Sequence, residues 1–209
     1  MKNYDVIFIG GSLMASSTAF NLLSERPDLK ILMIEKDPTY KHAATPLALG
    51  GIRQQFTERT NIRMAKMSVE TFENFGEIME TKTFGKPNID LRQGGYLFLV
   101  NEDKWPTALE NAEIQRSEGV DIRLLSVSDL ETMLPETDLT GIVGGTVCPR
   151  EGVLDPASVL NGYLHKVKEM GVTIINDEVV DIKMNGDKIV KVVCKSGDEY
   201  SAGAYVNAA

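Results

Sequence analysis

The sequence predicts an α/β fold whose first domain is interrupted by an α+β insertion and then resumed. Three observations carry this. An apolar run, Val6 to Ile9, breaks at Gly10-Gly11 and passes into a helix-spaced segment. A second apolar run, Lys30 to Ile34, ends in the acid Glu35. From Asn88 to Thr146 the strand–helix rhythm gives way to short strands and turns, after which a helix, a strand and a three-strand meander restore it. The boundaries read as 1–84 for the first part, 85–147 for the insertion and 148–209 for the second part.

The first element is strand, glycine turn, helix. Ala15, Thr18, Ala19, Leu22 and Leu23 recur at helical spacing, so one stripe faces a sheet. Such a junction aims free backbone N–H groups and the positive end of a helix dipole at one point, which suits a pyrophosphate. Against the pattern G-x-G-x-x-G/A, Gly10 and Ala15 fit the outer positions and Ser12 stands where the second glycine belongs, adding a Cβ at the closest approach. Glu35 lies 20 residues beyond Ala15, at the tip of the second strand. A carboxylate there can accept hydrogen bonds from ribose hydroxyls and repels a 2′-phosphate. A bound adenine dinucleotide explains the pair; a plain βαβ unit gives the same pattern.

Lys36-Asp37-Pro38 stops the second strand, and Thr39 to Phe56 follows without periodicity. Long irregular segments in compact domains tend to be functional. This one carries Gly50-Gly51-Ile52-Arg53-Gln54-Gln55-Phe56, and two readings of Arg53 stand: it faces a cofactor or a substrate carboxylate, or it is a solvated surface arginine. From Thr57, Ile62, Ala65, Val69, Phe72, Phe75 and Met79 share a helical face over five or six turns. In the insertion, Tyr96 to Val100 reads as a strand, Trp105 to Glu118 as a helix ended by Gly119, Arg123 to Ser126 as a strand, and Ser128 to Leu134 as a short helix stopped by Pro135. Tyr96 and Arg92 can reach a ligand from there, although a strand tyrosine with a wet hydroxyl is the commoner outcome. Asp155-Pro156 opens the clearest helix, closed by Gly171. Strands Val172 to Ile175, Val179 to Met184 and Ile189 to Cys194 follow, the last two joined at Asn185-Gly186, and a final strand lies near Ala204 to Val206.

With 209 residues, 43% of them hydrophobic, the chain builds a substantial core. A net charge of −8 without any basic stripe argues against nucleic acid or an anionic membrane surface. Cys148 and Cys194 have neither metal-ligand nor redox-motif spacing and read as buried reduced thiols, which fits a cytoplasmic location. His42 and His165 lie in no Cys/His/Asp cluster, so no metal site is expected. No apolar run approaches a membrane span, and the N-terminus shows no secretory pattern.

Together these pieces resemble the D-amino acid oxidase-like FAD-dependent oxidoreductases, closest to the glycine oxidase and sarcosine oxidase β-subunit branch. The carrying stretches are DVIFIGGSLMASS, ILMIEKD, GGIRQQF, GYLFLV, CPREGVLDPASVLNGY, GVTIINDEVVDI and YVNAA, in that order along nearly the whole chain. The resemblance implies a Rossmann-like FAD-binding domain of the glutathione-reductase-like type interrupted by an α+β substrate-domain insertion. It implies that Gly10, Gly11, Ser12, Leu13 and Met14 wrap the FAD pyrophosphate, that Glu35 holds the adenosine ribose with Lys36 beside it, and that Gly50, Gly51, Ile52 and Arg53 form the loop next to the flavin. Val179 falls where backbone groups read the adenine, and Ala208 and Ala209 match the start of an Ala-Ala-Gly turn that touches the cofactor. Neither His42 nor the cysteines fit an attachment motif, so non-covalent FAD is expected. Ser12 departs from the pattern, and the chain stops at Ala209, where the family continues for roughly as long again. On the chain as it stands, poor FAD retention and little turnover are the expectation.

The leading expectation is oxidation of a small amine or amino acid, sarcosine-like or glycine-like, by hydride transfer to the flavin, with Arg53 and Tyr96 as the catalytic candidates. A 2-hydroxy acid is the alternative substrate class, and an oligomer or partner subunit stays open. A truncated, non-catalytic dinucleotide-binding fragment is the rival reading; an NAD-dependent dehydrogenase leaves GGIRQQF and the insertion without a role.

Overall fold

The computed structural model describes residues 2–209. In chain order the elements are β1 (Lys2–Ile9), α1 (Leu13–Glu25), β2 (Ile31–Glu35), β3 (Gly51–Ile52), α2 (Arg59–Glu73), α3 (Phe75–Ile78), β4 (Arg92–Gln93), β5 (Tyr96–Asn101), α4 (Trp105–Ser117), β6 (Arg123–Leu125) and α5 (Val127–Met133). They continue with β7 (Ile142–Cys148), β8 (Gly152–Val153), α6 (Pro156–Glu169), β9 (Thr173–Asn176), β10 (Val179–Asn185), β11 (Lys188–Cys194) and β12 (Glu199–Asn207). They form two compact units: one holds the described residues up to Ala48, Gly76–Asn88 and Pro156–Ala209, the other Leu49–Phe75 and Ile89–Asp155.

The first unit is built on a six-stranded mixed sheet, ordered β10-β11-β12-β1-β2-β9. β12, β1, β2 and β9 run parallel, while β10 and β11 join β12 as an antiparallel meander. Alternation along the strands separates two cores. Phe8, Ile31 and Met33 pack with Ala15, Ala19 and Leu23 of α1 and Val167 of α6. Ile7, Leu32 and Ile34 pack instead with Val192, Cys194 and Tyr200 of the meander. With Ile31 to Ile34 all buried, β2 is a strand covered on both faces, as its unbroken apolar run requires.

The second unit has two small sheets, β3-β8-β4 and β5-β7-β6, with α2, α4 and α5. Ile62 of α2 meets Ala112 of α4, Val120, Ile122 and Cys148 in its core. Leu49–Phe75, assigned by sequence to the first part, belongs here because that face of α2 is covered by α4, and because Glu118 accepts from Arg59 at 2.7 Å and from Arg63 at 2.7 Å. The upper edge of the insertion likewise moves from 147 to Asp155.

One further expectation is corrected, and one strand is added. The long helix from Thr57 to Met79 ends at Glu73, where the Asn74 side-chain amide donates to Glu70 C=O at 2.8 Å and competes with the helix backbone. Its N-cap is Glu58, with no side-chain cap. β7 escapes the sequence reading because Gly144 and Gly145 break its β-rich signal. Gly144 is demanded by packing, since a Cβ there would lie 2.7 Å from the Trp105 ring and 2.8 Å from Leu125 C=O, while Gly145 is tightly enclosed, with Phe98 C=O 3.0 Å from a Cβ.

The Arg63 and Arg59 guanidiniums hold the nearly buried Glu118 carboxyl down at about 2, below its ordinary 4.5. A carboxylate lowered on folding stabilises the folded chain above its unfolded value, and that stabilisation is lost as the pH falls from about 4.5 through about 2. A carboxyl-carbon NMR titration is therefore expected to place Glu118 near the bottom of that window, and Glu118→Gln to flatten the acid limb of urea unfolding. Titration of Glu118 near 4.5 would contradict the pairing.

Candidate functional site

The site of the first unit is made where β1 turns into α1. Gly10 sits at φ +97°, and a Cβ there would come within 2.5 Å of Ala208 C=O. No side chain fits, which is why the turn needs glycine. Gly10 N–H donates to Ile34 C=O at 2.8 Å, and Ala208 N–H donates to Ile9 C=O at 2.8 Å. The turn is thus clamped between the ends of β2 and β12. Gly11 N–H donates to Glu35 Oε2 at 2.8 Å, while Asp37 N–H donates to Glu35 Oε1 at 2.9 Å. Both carboxylate oxygens are oriented by backbone and keep lone pairs for further donors.

Ser12 occupies the N-cap of α1 without a side-chain capping bond, and the first turn carries no acid. Its backbone N–H groups and dipole stay available to an anion. The Ser12 Oγ is buried and has no hydrogen-bond partner among the described residues. A hydroxyl left unsatisfied beside an uncapped helix start, with no room for a Cβ at Gly10, fits a phosphate oxygen as the missing partner.

These groups line a cavity of about 540 Å³, in the usual range for small-ligand sites. Of the residues expected at a cofactor, Gly10, Ser12, Leu13, Met14, Glu35, Lys36, Val179, Ala208 and Ala209 line it, and Gly11 is bonded to Glu35. Asp177, Glu178, Tyr40, His42 and Ala43 to Thr45 line it too and escaped the sequence reading. Burial and the nearby Glu35 charge push the Tyr40 phenol up to about 12, so it stays a neutral donor. Asp177 and Glu178 had a legible signal, since they follow β9, whose C-terminal end lies beside Glu35 in the parallel sheet. Acids at Glu35, Asp177 and Glu178 suit ribose and adenine donors; a pyrophosphate is better placed at the α1 N-terminus, whose first turn carries no acid.

Gly51, Ile52, Arg53 and Tyr96 come together in the second unit, in a groove of about 690 Å³ shared with Phe56, Asn61 and residues of α2. Gly50, at φ +73°, lies outside the lining and its C=O accepts from Leu154 N–H at 3.0 Å. The Arg53 guanidinium rests 4.7 Å from the Phe56 ring centre and 5.9 Å from that of Phe98. Phe56 and Phe98 are contacts the sequence did not single out. The Tyr96 hydroxyl lies so close to Gly51 that a Cβ there would overlap it. Neither thiol is reactive: burial pushes Cys148 and Cys194 each up to about 11.

A family model described as DAO, FAD dependent oxidoreductase, matches residues 5–209. The chain belongs to the DAO family of FAD-dependent oxidoreductases. It is 34% identical over 181 residues to FAD-dependent oxidoreductase domain-containing protein 1 of Xenopus laevis, covering 85% of this chain and 36% of that protein. It is also similar to sarcosine oxidase subunit beta of Arthrobacter sp, at 24% identity over 204 residues, 94% of this chain and 48% of the subunit. The crystal structure of L-proline dehydrogenase from P. horikoshii superposes with a TM-score of 0.85 at 26% identity, covering 99% of this chain and 53% of that one. The chain thus spans between a third and a half or so of the proteins it matches. The fold is the Rossmann-like one, and the cofactor of the family is FAD. The orphan hydroxyl, glycine turn and carboxylate of this DAO-family cavity are compatible with the pyrophosphate and adenosine of that cofactor.

Two outcomes follow for Ser12→Ala in this DAO-family chain. Removing the unsatisfied hydroxyl is expected to stabilise the cofactor-free chain by about 1 kcal/mol in urea unfolding. The same change is expected to weaken FAD binding, read by quenching of flavin fluorescence. A destabilised free chain would show that the Ser12 hydroxyl has a partner within the protein.

Proposed function

We propose that the protein oxidises a small amine or amino acid, with FAD held non-covalently as electron acceptor. One observation carries the substrate side. Arg26, Arg59, Arg63, Arg92, Arg116, Arg123 and Arg150 each pair with a carboxylate, whereas Arg53 has no ion pair among the described residues. Its guanidinium lies on two aromatic faces in an open groove. An arginine kept free of acids and supported by aromatic rings is suited to receive a carboxylate from outside.

When bound, FAD supplies the acceptor for a hydride from the carbon beside nitrogen. The residues of the chain orient and shield. Arg53 holds the substrate carboxylate, the Phe56 and Phe98 rings support its guanidinium, and Tyr96 walls the groove as a substrate contact. In the first unit, the α1 start and Ser12 hold the pyrophosphate, Glu35 the ribose. The names of two relatives support an amine: proline and sarcosine are both secondary amines carrying a carboxylate. That one relative is a subunit makes a partner subunit part of the same proposal.

Anaerobic mixing of the FAD-loaded protein with sarcosine, proline or glycine is expected to bleach the flavin absorbance. Bleaching by 2-hydroxy acids alone would overturn the amine reading. Arg53→Lys keeps the charge but loses the planar fork, and is expected to raise KM at least about tenfold with a smaller change in kcat. An unchanged KM would remove Arg53 from the substrate.

A further inference from the structure

We propose that Glu151 is the residue that positions both groove candidates, Arg53 and Tyr96; this rests on the reading of Arg53 as the carboxylate contact. Glu151 is fully buried and has no role in the site described so far. It stands at the end of the β3-β8-β4 sheet, directly before β8. There the edge strands β3 and β4 leave the ladder, and Glu151 holds each of them at that point.

On the β3 side the bond is made by the side chain. Ile52 pairs with Gly152, and one residue beyond Arg53 the ladder is taken over by the carboxylate. Gln54 N–H donates to Glu151 Oε1, and Gln55 N–H donates to the same oxygen at 2.8 Å. Consecutive backbone donors converging on one carboxylate oxygen fix the turn that begins at Arg53. The Gln55 amide donates to Glu151 Oε2 at 2.7 Å and to Tyr96 C=O at 2.9 Å. Its own oxygen accepts from the Thr146 hydroxyl at 2.7 Å.

On the β4 side the bond is made by the backbone. Gly94 N–H and Gly95 N–H donate to Glu151 C=O at 3.2 and 2.8 Å, and Tyr96 follows immediately. One buried residue therefore sets where Arg53 and Tyr96 enter the groove, without touching anything bound there. A carboxyl group buried this completely is costly unless it is hydrogen-bonded, and both of its oxygens are, Oε1 by two backbone N–H groups and Oε2 by the Gln55 amide.

The test follows the Arg53 side-chain Nε–Hε resonance in the nitrogen-labelled chain, assigned with Arg53→Lys, and its response to acetate as the simplest carboxylate. In the wild-type chain the resonance carries a ring-current offset from Phe56 and Phe98. Glu151→Ala is expected to lose most of that offset and to weaken the acetate response at least about tenfold. Glu151→Gln, whose amide oxygen can still take both backbone N–H groups but whose NH2 no longer accepts from Gln55, restores part of the offset and of the acetate response. Should Glu151→Ala fail to fold, Gln55→Met, which removes one of the three donors, is expected to shift the resonance in the same direction. A folded Glu151→Ala, or Gln55→Met in its place, with a wild-type Arg53 resonance and acetate response overturns the proposal. A moved resonance in a chain that never responds to acetate upholds the positioning and rejects the carboxylate reading.

Discussion

The close approach of Gly10 to Ala208, together with the bond from Gly11 to Glu35, is the constraint on which the first unit depends. It brings the ends of three parallel strands, β12, β1 and β2, to one point, and that point is the start of α1. The buried faces of β1 and β2 are separated into two cores by alternation, so neither strand can slip by one residue without exposing both sets. Strand register, and with it the place of the cavity, follows from that division. The helix is then left uncapped where a cap would be most ordinary, and a serine hydroxyl is left unsatisfied beside it. Both features lower the stability of the empty chain and are explained by an anion that satisfies them.

Each unit uses a carboxylate in the same way. Glu35 accepts from the backbone N–H groups of Gly11 and Asp37 at the end of β2; Glu151 accepts from those of Gln54 and Gln55 at the start of β8. A carboxylate offers more acceptor sites than a backbone carbonyl and can hold two chain segments at once. In the first unit the remaining capacity faces a cavity and is free for a ligand. In the second the other oxygen is engaged internally by Gln55 in a fully buried position, and the group that lines the groove is Arg53 instead. The difference matches the two halves of the proposed chemistry, a cofactor rich in donors and a substrate that bears a carboxylate.

The βαβ start, the helix after Asp155 and the meander were legible because their signals are local: apolar runs of the right length, glycines at the turns and Pro156 at a helix start. The cavity was legible in outline for the same reason, through Gly10, Ser12 and Glu35. What was not legible depends on packing between distant segments. β7 is hidden by Gly144 and Gly145, whose smallness serves Trp105 and Leu130. The membership of α2 is hidden because its apolar face looks alike whichever neighbour covers it, and only Glu118 and Ala112 decide. Glu151 reads as one more surface acid in a charged chain; the partners of its side chain lie 96 to 97 residues away.

The central claim is that the cavity at the start of α1 is built for the adenosine diphosphate half of FAD, with Glu35 on an unphosphorylated ribose. Calorimetric titration of the chain with ADP and with its 2′-phosphorylated form tests this without needing the flavin or any turnover. ADP is expected to saturate one site, and the 2′-phosphate to weaken binding at least about tenfold through repulsion by Glu35. Equal binding of the two nucleotides, or no heat with ADP, would contradict it.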